Sequence, residues 1–198
     1  MTNRAAGFLL TLSLALVAAA AGAQEHARSP YAGLETRPVK SLSETDIDEL
    51  RRGAGWGLAL PAELNGVPGP AHLLELKDEI GLLDEQVAAI EAIYEEMKAE
   101  AIPAGERFIA TEEAIEAAFV SGDIDAGRLR ALIEESAAAR AALRFVHLSR
   151  HLQTPPLLTA DQIARYNDLR GYDAANPCAA VPEGHDAAMW RRHNGCDG

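Results

Sequence analysis

The chain has 198 residues, with 18 lysines and arginines against 30 aspartates and glutamates, for a formal charge of −12. That acidity argues against nucleic acid and anionic membrane surfaces as partners, and is compatible with cations, basic proteins or simple solubility. The length allows one domain with tails.

Residues 1–23 read as a secretory signal peptide. Arg4 gives a positive start, Ala5 to Ala20 is an apolar run, and Ala21-Gly22-Ala23 is a small-residue cleavage site. The run is too short for an uncleaved anchor, and no cysteine follows it to carry a lipid. The expected mature chain starts after Ala23, is exported, and is one unit more acidic because Arg4 is lost. Residues 24–41, with Pro30, Gly33 and Pro38 and no hydrophobic period, read as a flexible linker.

A helix is expected to start at Ser43. Ser43 caps it, Asp46 stands at the capping-box position, and Leu42 can staple onto Ile47. This helix is read as running through Leu50 into Gly53-Ala54-Gly55-Trp56-Gly57 and on to Glu63 and Leu64. The glycines weaken it by about 1 kcal/mol each, a cost that points to a bend or a close backbone approach. Asn65-Gly66 ends it. Val67-Pro68-Gly69 is a turn, and Pro70 suits the first position of a short helix over His72 to Ile80.

Two long helical arms follow. Leu83, Val87, Ile90, Tyr94, Met97, Ala101, Ala104, Phe108, Thr111, Ile115 and Ala118 are spaced alternately by four and three, which makes one seam. Glu91, Glu95, Glu96, Glu106, Glu112 and Glu116 mostly fall off it. At about 1.5 Å per residue the arm is roughly 55 Å long, more than one small globule covers. Pro103 predicts a kink and Gly105 adds slack there. Ser121-Gly122-Asp123-Ile124-Asp125 is a turn, with Asp125 as the next N-cap. The second arm repeats Leu129, Leu132, Ser136, Ala139, Leu143 and Val146 through an alanine-rich middle, and Pro155-Pro156 stop it. The last helix starts at Leu158-Thr159-Ala160-Asp161-Gln162, with Thr159 and Gln162 as a capping box, and Gly171 ends it. Residues 173–198 read as a loop-rich tail, in which Cys178 and Cys196 form an expected disulfide in an oxidising compartment.

Leu158, Thr159 and Gln162 match the LTxxQ pattern of the periplasmic Spy/CpxP-like proteins, a group of chaperones and CnrX-like heavy-metal-resistance sensors that the chain resembles over residues 42–172. Those proteins carry two such motifs, and Leu82-Leu83-Asp84-Glu85-Gln86 stands where the other is sought. Leu83 replaces the threonine, so that helix lacks a side-chain cap. The resemblance implies an all-α fold, a long helical hairpin with short flanking helices, in a cradle-like homodimer. It implies a periplasmic, non-enzymatic stress-protection protein, either a chaperone that holds unfolded periplasmic proteins without ATP, or a heavy-metal sensor that acts on a membrane-bound signalling partner. The sequence shows no G-x-S-x-G, P-loop, C-x-x-C or H-E-x-x-H. Ser149 between His147 and His151 lacks a third, orienting group for nucleophilic catalysis.

Metal chemistry has one expected location. His147 and His151 are four apart on one helical face, a spacing that suits two ligands of one ion. His72 and Glu63 flank the turn that the chain order brings to the same end of the arms. Histidine nitrogens with one carboxylate suit zinc, nickel or copper. The alternative is a core-edge His147 and a His151 that complements the helix dipole. The arginines at 107, 128, 130, 140, 144 and 150 either line a client cradle or pair with glutamates. The count of Cys178, His185, His193 and Cys196 also suits zinc, but their spacing matches no zinc module.

Overall fold

A computed structural model describes residues 29–172, 181, 187–193 and 196. Residues 1–23, read as the signal peptide, and Cys178 lie outside the described residues. The chain divides into two units, residues 1–33 and 34–198. Of the first, Ser29–Gly33 form a turn in which the Ala32 amide donates to the Ser29 carbonyl.

The second unit is all-α, and no strand occurs among the described residues. A short 3-10 turn at Leu34–Thr36 leads to α1 (Glu44–Arg51), α2 (Leu60–Glu63), α3 (Pro70–Glu75), α4 (Lys77–Ile80), α5 (Asp84–Ser121), α6 (Ala126–Gln153), α7 (Ala160–Arg170) and α8 (Ala187–His193). No helix among the described residues is long and apolar enough to cross a membrane.

The α5 seam is real over most of its length. Ile90, Met97, Ala101, Ala104, Phe108, Thr111 and Ala118 are buried, and α6 supplies Ser136, Ala139, Leu143 and Val146. Most of these join one core with Leu50 and Leu58. Ser136 donates to Glu112, and Arg150 pairs with Glu100 at 2.8 Å and Glu96 at 3.7 Å, so α6 lies along α5. Leu83, placed on the seam by its spacing, is exposed instead, because it is the N-cap and points out of the first turn. In the alanine-rich stretch of α6 only Ala139 is buried, so the other alanines face outward.

Four expectations change. The helix from Ser43 does not continue to Glu63. It stops at Arg51, and Gly53, Trp56 and Gly57 take φ of 67°, 42° and 66°, a left-handed path that no helix can follow. The single short helix after Pro70 is two, broken at Leu76. The 24–41 stretch is not linker to its end: Val39 is buried in the core, Lys40 pairs with Glu116, and Ser41 donates to Glu112 at 2.6 Å. The tail is not all loop, since Ala187–His193 are helical.

Helix α5 is assigned without interruption through Pro103. Gly105 serves contact rather than slack. A Cβ there would stand 2.5 Å from the Leu50 carbonyl oxygen, so the missing side chain lets α1 end against α5.

A second core of Leu73, Ile80, Ile90 and Tyr166 joins α3, α4, α5 and α7. The two five-residue motifs close it. Gln162 and Gln86 each donate to the other's amide oxygen at 2.9 Å. Gln86 also donates to the Leu157 carbonyl at 2.7 Å, and Gln162 to the Gly81 carbonyl at 3.2 Å. Each glutamine accepts from the backbone at its own helix start, Leu83 or Thr159. Thr159 caps with its hydroxyl, whereas Leu83 has no side-chain acceptor and gives no cap. Leu82 and Leu158 pack on this core from either side.

Candidate functional site

The site is built where α2, α3, α6 and α7 meet. The centre is Glu63, the last residue of α2, 7% exposed. Its Oε1 lies 3.0 Å from His72 Nδ1 on α3 and 3.7 Å from His151 Nε2 on α6. Its Oε2 accepts from the Tyr166 hydroxyl at 2.5 Å and the Tyr172 hydroxyl at 3.2 Å. Arg170 donates in turn to the Tyr172 hydroxyl. A buried carboxylate with four polar neighbours is the arrangement that makes its burial tolerable. Burial pulls the Glu63 carboxyl upward in pKa, but hydrogen bonds from His72 and Tyr166, with the charges of His72 and His151, outweigh it and hold the group at about 2. Glu63 is therefore an anion at neutral pH. Burial, then the Glu63 hydrogen bond and charge, push the Tyr166 hydroxyl upward, so it stays a donor.

The histidine tautomers follow from their partners. A carboxylate accepts only, so His72 Nδ1 carries the proton and Nε2 is left without a partner among the described residues. A carbonyl also accepts only, so His151 Nδ1, 2.8 Å from the Val67 oxygen, carries its proton as well. His151 Nε2 then faces Glu63 Oε1 either with a second proton or with a lone pair. The ring is held by its surroundings. A Cβ on Gly69 would stand 2.5 Å from His151 Cε1, so only glycine fits there, and Thr154 ties the same loop by donating to the Pro68 carbonyl at 2.5 Å.

His147 is 3% exposed, and its Nε2 is buried with no hydrogen-bond partner. Burial first, and the charge of His151 second, push its pKa below the usual imidazole range. It is a neutral, unsatisfied imidazole beside an anion-centred cluster, an unusual state for a buried polar group.

Glu63, His72, His147 and His151 all line one cavity of about 310 Å³, walled also by Trp56, Leu60, Pro70 and Met97. The four residues expected from the sequence thus come to one place. As they stand, no three histidine, cysteine, aspartate or glutamate side chains among the described residues are grouped so as to hold a metal ion. His151 lies in the last turn of α6, and it is 5% exposed and engaged on both sides. Sequence reading missed Tyr166, Tyr172, Trp56 and Met97. The one available signal was the demand that a buried Glu63 have donors; Tyr166 read only as part of the apolar face of the last helix.

The other groups singled out play structural parts. Ser149 donates back to the Val146 carbonyl at 3.0 Å, a bond within its own helix. Arg150 is buried against Glu96 and Glu100, and Arg140 lies over the Trp56 ring at 5.6 Å. Cys196 is disulfide-bonded. No protein-family profile matches the chain, and no curated protein and no solved structure matches it either.

Proposed function

We propose that this chain is an exported, non-enzymatic stress-protection protein of the periplasm that binds a divalent transition metal at Glu63, His147 and His151. One observation carries the reading: a buried, ionised carboxylate faces the Nε2 of His151, whose other nitrogen is already protonated, while His147, which lines the same cavity, has a buried Nε2 with no partner. A cation held by all three would satisfy them together. Two ligands with bonds of about 2.0–2.1 Å to one ion stand roughly 2.9–3.5 Å apart. The 3.7 Å gap between Glu63 and His151 needs to close by only a few tenths of an ångström. His72 already spends Nδ1 on Glu63, which makes it the supporting partner of a ligand rather than a ligand. Imidazole and carboxylate together favour zinc, nickel or copper over calcium or magnesium.

Calorimetric titration of the metal-free protein with zinc, nickel and copper tests this, with His185 and His193 replaced by asparagine in every sample. Binding should weaken by at least about tenfold in His147→Phe, and should weaken in acid, because protons compete with the metal for the ligand nitrogens. Equal binding by the parent and His147→Phe would remove His147 from the site; no binding beyond that of surface histidines would end the metal reading.

A second reading, ATP-independent holding of unfolded proteins, draws on a different observation. Phe119, Val120, Ile133, Phe145 and Leu152 are large apolar side chains that α5 and α6 leave more than half exposed. In a hairpin of these helices, those that a cradle-like homodimer leaves uncovered would form the client surface. The protein should then suppress aggregation of a basic unfolded client at near-stoichiometric ratio without nucleotide, less well as salt rises. Clients that aggregate at the same rate with and without the protein would refute this reading.

A further inference from the structure

The cavity is larger and more apolar than an ion requires. At about 310 Å³ it lies at the lower end of small-molecule sites, and a cavity of about 150 Å³ already takes benzene. Trp56 and Met97 form part of its wall, and indole and thioether are the side chains that pack best against a flat ring. Leu60, Ala59 and Pro70 add aliphatic surface.

The polar end is specified just as closely. His72 also lines the cavity, and its Nδ1 is fixed as a donor by the Glu63 carboxylate. With Nδ1 spent on Glu63, Nε2 is the ring nitrogen left to a ligand. The walls around it are rigid. Trp56 is tied by its indole N–H to Asp46 at 2.8 Å and rests on Phe108, ring centres 5.6 Å apart.

We propose that this cavity binds a small aromatic compound with one hydrogen-bonding head, a phenol or a close equivalent, its ring against Trp56 and Met97 and its hydroxyl hydrogen-bonded to His72 Nε2. This goes beyond metal binding and does not depend on it, because it uses the His72 nitrogen and the apolar walls that the ion leaves free.

The test uses the full chain carrying Trp190→Phe, so that Trp56 is the reporting indole, kept with chelator at about pH 8. p-Cresol and toluene are the probes, read by Trp56 fluorescence and by equilibrium dialysis. p-Cresol should bind, and toluene, the same shape without the hydroxyl, about tenfold more weakly, the worth of one hydrogen bond. His72→Phe should reduce p-cresol to the affinity of toluene. Equal affinities for the two probes, no binding of p-cresol at millimolar concentration, or unchanged p-cresol binding by a folded His72→Phe each overturns the proposal. Where His72→Phe does not fold, because Glu63 loses a donor, the comparison of the two probes on the parent decides alone. Metal titration of the same protein without chelator is a separate readout, so the two sites can fail independently.

Discussion

At the scale of single residues, the molecule concentrates its electrostatic risk in Glu63 and His147. Glu63 is ionised inside the protein because its hydrogen bonds and the neighbouring histidines outweigh the cost of burial. A carboxyl held at about 2 against an ordinary 4.5 favours the folded state by roughly 3 kcal/mol. The sign follows from proton counts: between those two values the unfolded chain binds more protons than the folded one. The contribution is therefore complete above about pH 4.5 and is lost as pH falls towards 2. His147 adds a second acid weakness with the same sign. Its pKa is lowered by burial, so folding favours the neutral ring, and stability declines once pH drops below the ordinary imidazole value. Urea midpoints followed from neutral to acid pH should fall in two stages. The wild type should lead Glu63→Gln at neutral pH, and that lead should shrink below about pH 4.5. A constant gap between the two proteins across the acid range would mean that Glu63 is not held as an anion by the fold.

At the scale of elements, sequence and structure part company where glycine decides the path. The long helices were legible because a seam repeating every three to four residues over α5 has one solution, and because Asp125, Thr159 and Ser43 each cap a helix. The stretch from Gly53 to Gly57 was read as a weakened helix, yet it is a left-handed turn that carries Trp56 onto Phe108. Local propensity gives the cost of glycine in a helix but not the direction the chain takes when it leaves one. The same holds for Gly105 and Gly69, whose lack of a side chain serves the Leu50 carbonyl and the His151 ring, contacts across the fold that no local pattern contains. Convergence of Glu63, His72, His147 and His151 was legible from chain order, since α3 leads through the short α4 into α5 and α6 returns to the same end. Tyr166 and Tyr172, which complete the Glu63 shell, come from the far end of the domain and carried no local mark. The glutamine exchange between residues 86 and 162 lies between: each motif was visible alone, but their mutual bond belongs to the packing of α5 against α7.

At the scale of the whole molecule, the open question is what covers the outer face of α6. Ile133, Ala137, Ala141, Phe145, Leu148 and Leu152 repeat at intervals of four, four, four, three and four, which is one helical face. Ile133, Phe145 and Leu152 on that face are 51%, 71% and 75% exposed. Leu60 and Leu64 of the α2 region are also exposed, and Pro61, Ala62 and Val67 form a groove with Phe145, Leu148 and Leu152. Contiguous apolar surface of this kind on a water-facing protein is the usual mark of a partner. A second copy meeting this face about a two-fold axis would bury it with itself, the commonest closure among homo-oligomers. Light scattering of the chain from Gln24 onward should then give twice the chain mass at micromolar concentration. The substitutions Phe145→Glu and Leu152→Glu should give a monomer with unchanged helix content, because neither side chain is part of the folded core. Phe108→Glu, by contrast, should unfold the chain, because Phe108 is 4% exposed in that core and its charge would have no partner. A monomeric parent would remove the dimer, and a dimer untouched by Phe145→Glu and Leu152→Glu together would move the interface to another face.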